Sequence, residues 1–198
     1  NKNPMLNIIL FGKPGAGKGT QAEYIKKTFN LIHISTGDLF RKNIEKKTSL
    51  GLMAKSFIDN GELVPDQITI DMLKNEVIKN KKANGFIFDG FPRTLSQAEV
   101  LDLFLKSLKM NLTATISLDV EDSVLEDRLI KRGKTSGRLD DQNIEKIRNR
   151  FEEYNKKTSP LISYYKSLNK FHSIRGTGTI EDIRNELNNL INQLKLDD

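Results

Sequence analysis

The residues with the clearest chemistry form one loop, Gly12-Lys13-Pro14-Gly15-Ala16-Gly17-Lys18-Gly19-Thr20. It follows an apolar run, Leu6–Phe11, and leads into a stretch with Ala22, Ile25 and Phe29 at helical spacing. Glycines let the backbone curl so that several N–H groups point inward. The start of a helix adds partial positive charge, and a lysine at position 18 can reach the outer phosphates of a polyphosphate. One detail departs from the general pattern: Gly19 follows the lysine, and the hydroxyl comes one residue later at Thr20. A second signal is Phe86-Ile87-Phe88-Asp89, an apolar run ending in a carboxylate. Beside a phosphate loop, such a carboxylate suits a magnesium-bound water. No Asn-Lys-x-Asp motif is present, which argues against a guanine-reading GTPase.

Arginines are the other residues that could serve such chemistry: Arg128 and Arg132 are four residues apart and share a helix face, with Arg138 and Arg150 among those that follow. Transferring a phosphoryl group between two anions demands positive charge around the transferring oxygens and little else. The competing reading pairs these arginines with Glu121, Glu126 and Glu152 in surface ion pairs.

Elements must hold these groups in place. Apolar runs bounded by Gly, Asp or Ser predict strands at Leu6–Phe11, Leu31–Ile34, Gly85–Asp89, Ala114–Leu118 and Phe171–Arg175. Helical periodicity predicts helices at Asp38–Lys47, Leu50–Asp59, Asp66–Lys79, Leu95–Ser107, Glu121–Arg132, Asn143–Lys157 and Thr179–Leu196. In the last of these, Ile180, Ile183, Leu187, Leu190, Ile191 and Leu194 share one face, and Thr179 with Asp182 forms a capping box. Strands alternating with helices imply an α/β fold: a parallel sheet covered on both faces. Two glycine-bounded stretches interrupt the alternation, Ser35–Val64 and Gly133–Asp141, and both read as flaps on a rigid sheet.

Composition narrows the class. At 198 residues the chain fits one domain, expected to span 1–198. Residues 1–4 read as a frayed lead before Met5, with no secretory signal. No apolar run approaches the roughly 18 residues of a membrane span, so no membrane partner is expected. With no cysteine, there is no disulfide framework and no cysteine-ligated zinc. His33 and His172 read as core or edge histidines. The net charge of +6 favours anionic partners, but 26 acidic residues accompany the 32 basic ones and no tryptophan is available to stack bases. Charge alone does not decide between phosphorylated small molecules and nucleic acid; the phosphate loop makes small-molecule nucleotides the expected partners, with no nucleic acid.

Gly12–Gln21 (GKPGAGKGTQ), Ser35–Arg41 (STGDLFR), Gly61–Asp66 (GELVPD), Gly85–Thr94 (GFIFDGFPRT) and Arg138–Asp141 (RLDD) closely resemble adenylate kinases in order and spacing, over nearly the whole chain from Met5. The resemblance implies Mg·ATP + AMP ⇌ two ADP, hence adenine nucleotide homeostasis, with Mg, ATP and AMP bound and no zinc. It implies a P-loop NTPase-like parallel five-stranded sheet with helices on both faces, a helical AMP-binding insertion at 35–64 and a short lid at 131–141. A cytoplasmic monomer is the family's default.

By the same resemblance, Gly15, Ala16, Gly17, Lys18, Gly19 and Thr20 cradle the ATP phosphates. Arg128 and Gly178 lie near the ATP adenine, although an ordinary strand-to-helix turn also explains Gly178. Arg41 and Arg93 hold the AMP phosphate, as planar guanidiniums bond its oxygens bidentately. Thr36 and Gln97 face the AMP base; an amide's donors and acceptor match adenine's N1 and amino group. Thr94-x-x-Gln97 would alternatively cap a helix, but Ser96-x-x-Glu99 fits that role equally well. Glu62, Leu63 and Val64 line the AMP pocket. Gly90, Phe91 and Pro92 bring backbone close to AMP, and Asp89 serves the metal through water. Arg132, Arg138 and Arg150 close on the phosphates, and Lys18, Arg93 and these three form the catalytic set. Asp140 and Asp141 resemble an acidic pair that takes arginine partners when the lid closes.

The lid is short, Gly133–Gly137 standing where relatives carry a longer, sometimes zinc-bearing segment. Lys13 occupies a position usually held by a small residue; it either adds charge near phosphate or points to solvent. The nearest rival, a UMP/CMP kinase, tends to carry alanine and asparagine at the positions of Thr36 and Gln97. A non-catalytic ATP-binding sensor is the rival of another class.

Overall fold

The computed structural model describes residues 5–197; the expectation for residues 1–4 falls outside them. Five strands form one parallel sheet: β1 (Leu6–Phe11), β2 (Ile32–Ser35), β3 (Gly85–Asp89), β4 (Ala114–Asp119) and β5 (Phe171–Arg175). Their order is β2-β3-β1-β4-β5. Register places Leu10 opposite Asp89 on one side and opposite Ile116 on the other. The connection leaving β1 runs toward β2 and that leaving β4 runs toward β5, so a crevice opens at their carboxyl ends, where ligands bind in open α/β sheets.

Side-chain alternation along β1 builds two cores. Leu6, Ile8 and Leu10 face α1 (Lys18–Phe29), α6 (Asp122–Ser136), α7 (Ile144–Glu153) and α9 (Ile180–Asp197), meeting Ile25, Leu129, Phe151 and Leu187. Ile9 and Phe11 face α4 (Asp66–Lys79), α5 (Leu95–Ser107) and α8 (Pro160–Ser167), meeting Leu73, Leu101 and Tyr165. The stretch read as the first flap holds α2 (Thr36–Glu45) and α3 (Ser49–Asp59), with a small core of Phe40 and Ala54 against Val64 and Met72.

Several elements differ from the sequence reading, each for a local reason. The helix predicted over Asn143–Lys157 stops as α7 at Glu153. A wide turn follows, in which the Ser159 N–H reaches the Tyr154 carbonyl five residues back at 2.8 Å. Then α8 begins with Pro160 in its first turn, where a missing N–H costs nothing. The second flap is partly helical, since α6 continues through Ser136. Gly133 lies inside that helix because another chain segment crosses it: a Cβ there would sit 2.5 Å from the Asp141 carbonyl oxygen. The α9 capping box forms as expected, Asp182 N–H donating to Thr179 Oγ1 at 3.1 Å and Thr179 N–H to Asp182 Oδ2 at 3.1 Å. Ile180 is an exception to the apolar face, being 53% exposed. No helix among the described residues is long and apolar enough to cross a membrane.

Candidate active site

A cleft of about 570 Å³ opens at the carboxyl ends of β1, β2 and β3, and a smaller one of about 70 Å³ adjoins it between α2, the 61–64 segment, α4 and α5. The loop between β1 and α1 lines the large cleft with all six expected residues, Gly15 to Thr20. Lys18 holds the centre. Its Nζ donates to the Gly12 carbonyl at 2.7 Å and the Lys13 carbonyl at 3.2 Å. Burial, opposed by the pull of Asp89 and reinforced by the charges of Arg93, Arg150 and Arg132, lowers its pKa to about 8. A buried ammonium among guanidiniums is a site short of anions, and a polyphosphate supplies them.

Asp89 ends β3 at the cleft wall, its carboxylate buried. Burial favours the neutral acid, but the hydrogen bond from His33 and the charges of Lys18, His33 and Arg93 hold its pKa below the ordinary value. His33, read as a core or edge histidine, sits on edge strand β2 with Nε2 3.2 Å from Asp89 Oδ2 and Nδ1 3.4 Å from Glu23 Oε1. Burial opposes its charge, yet the two carboxylates raise its pKa. The sequence carries no local sign of this pairing, because the partners lie 56 and 10 residues away. Among the described residues, no three His, Cys, Asp or Glu side chains gather as a metal cage. One depressed carboxylate at a phosphate cleft suits magnesium, which keeps several waters and takes its remaining ligands from nucleotide phosphates.

Arg93 is fixed on every side. Its Nε donates to the Gly90 carbonyl at 2.8 Å, its backbone N–H donates to Gln97 Oε1 at 2.7 Å, and its carbonyl accepts from Thr158 Oγ1 at 2.7 Å. Burial first, then the charge of Arg150, lowers its pKa to about 10, so it stays charged at neutral pH. Gly90 makes this approach feasible. Its φ is 76°, and a Cβ would meet the Arg93 guanidinium at 2.9 Å and Thr36 Oγ1 at 3.0 Å. Thr36 Oγ1 donates to the Gly90 carbonyl at 2.9 Å, closing the same turn.

The smaller cleft gathers Thr36, Glu62, Leu63, Val64 and Gln97 as expected. Gln97 serves partly in the other role considered: Thr94 caps α5, accepting from the Gln97 N–H at 3.2 Å. The Gln97 side chain also donates to Asp66 Oδ1 at 2.7 Å. One amide hydrogen and one oxygen lone pair remain for a base. Phe91 lies elsewhere: it is buried in the core beside Leu101, away from both clefts, because the turn after Gly90 points its ring inward. Pro92 stays on the large cleft.

Arg41, Arg93 and Arg150 line both clefts and so mark their junction. Arg132 and Arg150 meet Asp141, which is fully buried: Arg132 Nε donates to Oδ2 at 2.5 Å and Arg150 to Oδ1 at 2.7 Å. Arg150 also lies 3.0 Å from Asp140. Burial raises the Asp141 pKa, but the two guanidiniums outweigh it and hold the carboxyl below the ordinary value. Arg138 reaches Asp38 of α2 at 3.7 Å, and Asp38 also pairs with Arg41. Arg128 ties the loop to the β5–α9 turn, donating to the Gly15 carbonyl at 3.5 Å and the Gly176 carbonyl at 3.2 Å. Gly178 and the exposed Ile180 border the same end of the cleft. Asp38, Glu153, Tyr154 and Thr158 also line the large cleft and were not singled out from sequence. Ser159-Pro160 was the available signal for the turn that delivers Tyr154 and Thr158.

Phosphate loop, strand-end carboxylate and converging arginines on a β2-β3-β1-β4-β5 sheet define a nucleotide-dependent phosphotransferase of the phosphate-loop class. A family model described as Adenylate kinase matches residues 10–170. The adenylate kinase of Flavobacterium psychrophilum is 60% identical over 190 residues, spanning 96% of this chain and 100% of the relative. Those of Flavobacterium johnsoniae, at 57% over 190 residues, and Parabacteroides distasonis, at 46% over 191, cover the same shares of both chains. The chain belongs to the adenylate kinase family.

Proposed function

We propose that the large cleft takes Mg·ATP, with its phosphates on loop 12–20, and that the smaller cleft takes AMP, the two meeting where Arg41, Arg93 and Arg150 line both. That shared junction carries the reading. An AMP phosphate oxygen attacks the γ-phosphorus in line, the bond to the β–γ bridging oxygen breaks, and two ADP result. The nucleophile is already an anion at neutral pH, so no general base is needed. Protein catalysis is then positioning and charge. Arg93 and Arg41 orient the acceptor phosphate, Lys18 and the loop amides hold the donor phosphates, and Arg132, Arg138 and Arg150 surround the transferring oxygens. Asp89 would hold the water shell of a magnesium ion carried in with ATP, which would neutralise phosphate charge.

Thr36, Gln97 and the 62–64 backbone read the AMP base; Arg128 and Gly178 border the ATP adenine. The insertion at 35–64 and the lid at 131–141 close over both nucleotides and exclude water, which would otherwise take the phosphoryl group. The protein acts as a cytoplasmic monomer. Phosphoryl transfer from Mg·ATP should be measured to AMP, CMP, UMP and GMP separately. Rapid ADP formation with AMP alone supports the assignment. Preference for CMP or UMP would overturn the roles of Thr36 and Gln97, and binding of ATP without transfer would point to a sensor.

A further inference from the structure

Lys13 belongs to the phosphate loop by its backbone, its carbonyl accepting from the Ala16 N–H at 3.2 Å and from Lys18 Nζ at 3.2 Å. Its side chain turns away from the cleft. Nζ lies 2.7 Å from Asp122 Oδ1 and 5.5 Å from the centre of the Phe151 ring, and the side chain is only 19% exposed. Asp122 is the first residue of α6, the helix that carries Arg128 and Arg132. Phe151 adjoins Arg150 on α7. One side chain therefore reaches the first residue of α6 and the last turn of α7 while its own carbonyl holds the Lys18 ammonium. The attachment is reciprocal, since Arg128 of α6 reaches back to the Gly15 carbonyl at 3.5 Å.

We propose that Lys13 is a positioning residue: it sets the separation between the phosphate loop and helices α6 and α7, and so how the donor phosphates on the loop meet Arg132 and Arg150. The inference rests on the placement of ATP on that loop. An isolated exposed ion pair contributes little. Here Asp122 is half exposed, but the lysine side chain is largely covered and its cation lies against an aromatic face, where partial desolvation strengthens the attraction.

Steady-state kinetics with ATP and AMP varied separately test this on Lys13→Met, Lys13→Arg, Asp122→Asn and the Lys13→Met/Asp122→Asn double variant. Lys13→Met keeps an unbranched apolar side chain of similar length and removes the charge that lies over Phe151. Each of Lys13→Met and Asp122→Asn should raise the KM for Mg·ATP about 3–5-fold, the size of a partly covered ion pair, and leave the KM for AMP unchanged. The double variant should be no worse than the worse single one, and Lys13→Arg should return to within about twofold of wild type. An unchanged KM for Mg·ATP in Lys13→Met would overturn the proposal. So would effects that multiply in the double variant, or equal rises in both KM values. Should wild type bind Mg·ATP but transfer nothing to AMP, the reaction assignment fails instead; the Kd of the same variants for Mg·ATP, measured by calorimetry, then decides the role of Lys13 by the same pattern.

Discussion

Arg93 and Arg132 bring the same charge to one cleft from opposite walls, and they are held in opposite ways. Arg93 is fixed by neutral groups: the Gly90 carbonyl, the Gln97 amide and the Thr158 hydroxyl. Among the described residues it has no ion pair, so its charge is available before any substrate arrives. Arg132 is held by a carboxylate, Asp141, which Arg150 shares. On the proposed reading, the acceptor side is preorganised by neutral groups, whereas Arg132 and Arg150 already share the Asp141 carboxylate and must exchange it for phosphate.

The comparison can be broken most severely at its fixed end. Arg93→Ala should lower kcat about 1,000-fold or more, the scale of a lost arginine at a phosphoryl-transfer site, with far-UV circular dichroism unchanged. Arg132→Ala should cost less, about 100-fold, because Arg150 and Arg138 remain. Equal losses would erase the distinction between the two walls.

Removing the lid-side partner sharpens it. Asp141→Asn should reduce stability near pH 7 by about 3 kcal/mol, the lower end for a broken buried pair, since Arg132 still reaches solvent. The folded pKa of Asp141 lies below its unfolded value of 3.8, so its contribution is fully present above 3.8 and is lost as pH falls through the folded value. Denaturant titrations should therefore show wild type and variant converging in strong acid. A gap independent of pH would contradict the pairing.

A smaller effect concerns Lys18, whose pKa of about 8 reflects burial among guanidiniums. Bound phosphates raise that pKa. Below pH 8 the free enzyme already carries the proton; above it, binding must take one up. The KM for Mg·ATP should hence rise with pH above 8, approaching about tenfold per unit. Calorimetry in buffers of different ionisation enthalpy should show proton uptake at pH 9 and little at pH 6.5.

The loop, Asp89 and all five strands were legible because each is local: glycines at fixed offsets, or an apolar run ended by Gly or Asp. The arginines were legible through the resemblance to adenylate kinases, spacing by itself linking only Arg128 and Arg132. What was not legible depends on partners far apart in sequence. Nothing around His33 announces Asp89, and nothing around Gln97 announces Asp66, 31 residues earlier. Ile180 fits the apolar stripe of α9 yet borders the nucleotide cleft, because that helix starts at the sheet's carboxyl edge. Phe91 sits in a motif that reads as a substrate turn, and its ring packs into the core. The lid read as a polar flap because Gly133 breaks helical propensity; in the structure that glycine admits the crossing 3-10 turn that ends at Asp141 instead.

The most direct test of the two-wall account is arginine side-chain NMR, following the Nε–H signals of Arg93, Arg132 and Arg150 in the free protein and with Mg·ADP and AMP bound. The Arg93 signal should be protected from exchange in both states, its bond to Gly90 intact, while those of Arg132 and Arg150 shift as phosphate replaces Asp141. An Arg93 signal that gains protection only on binding, or an Arg132 signal that never moves, would contradict it.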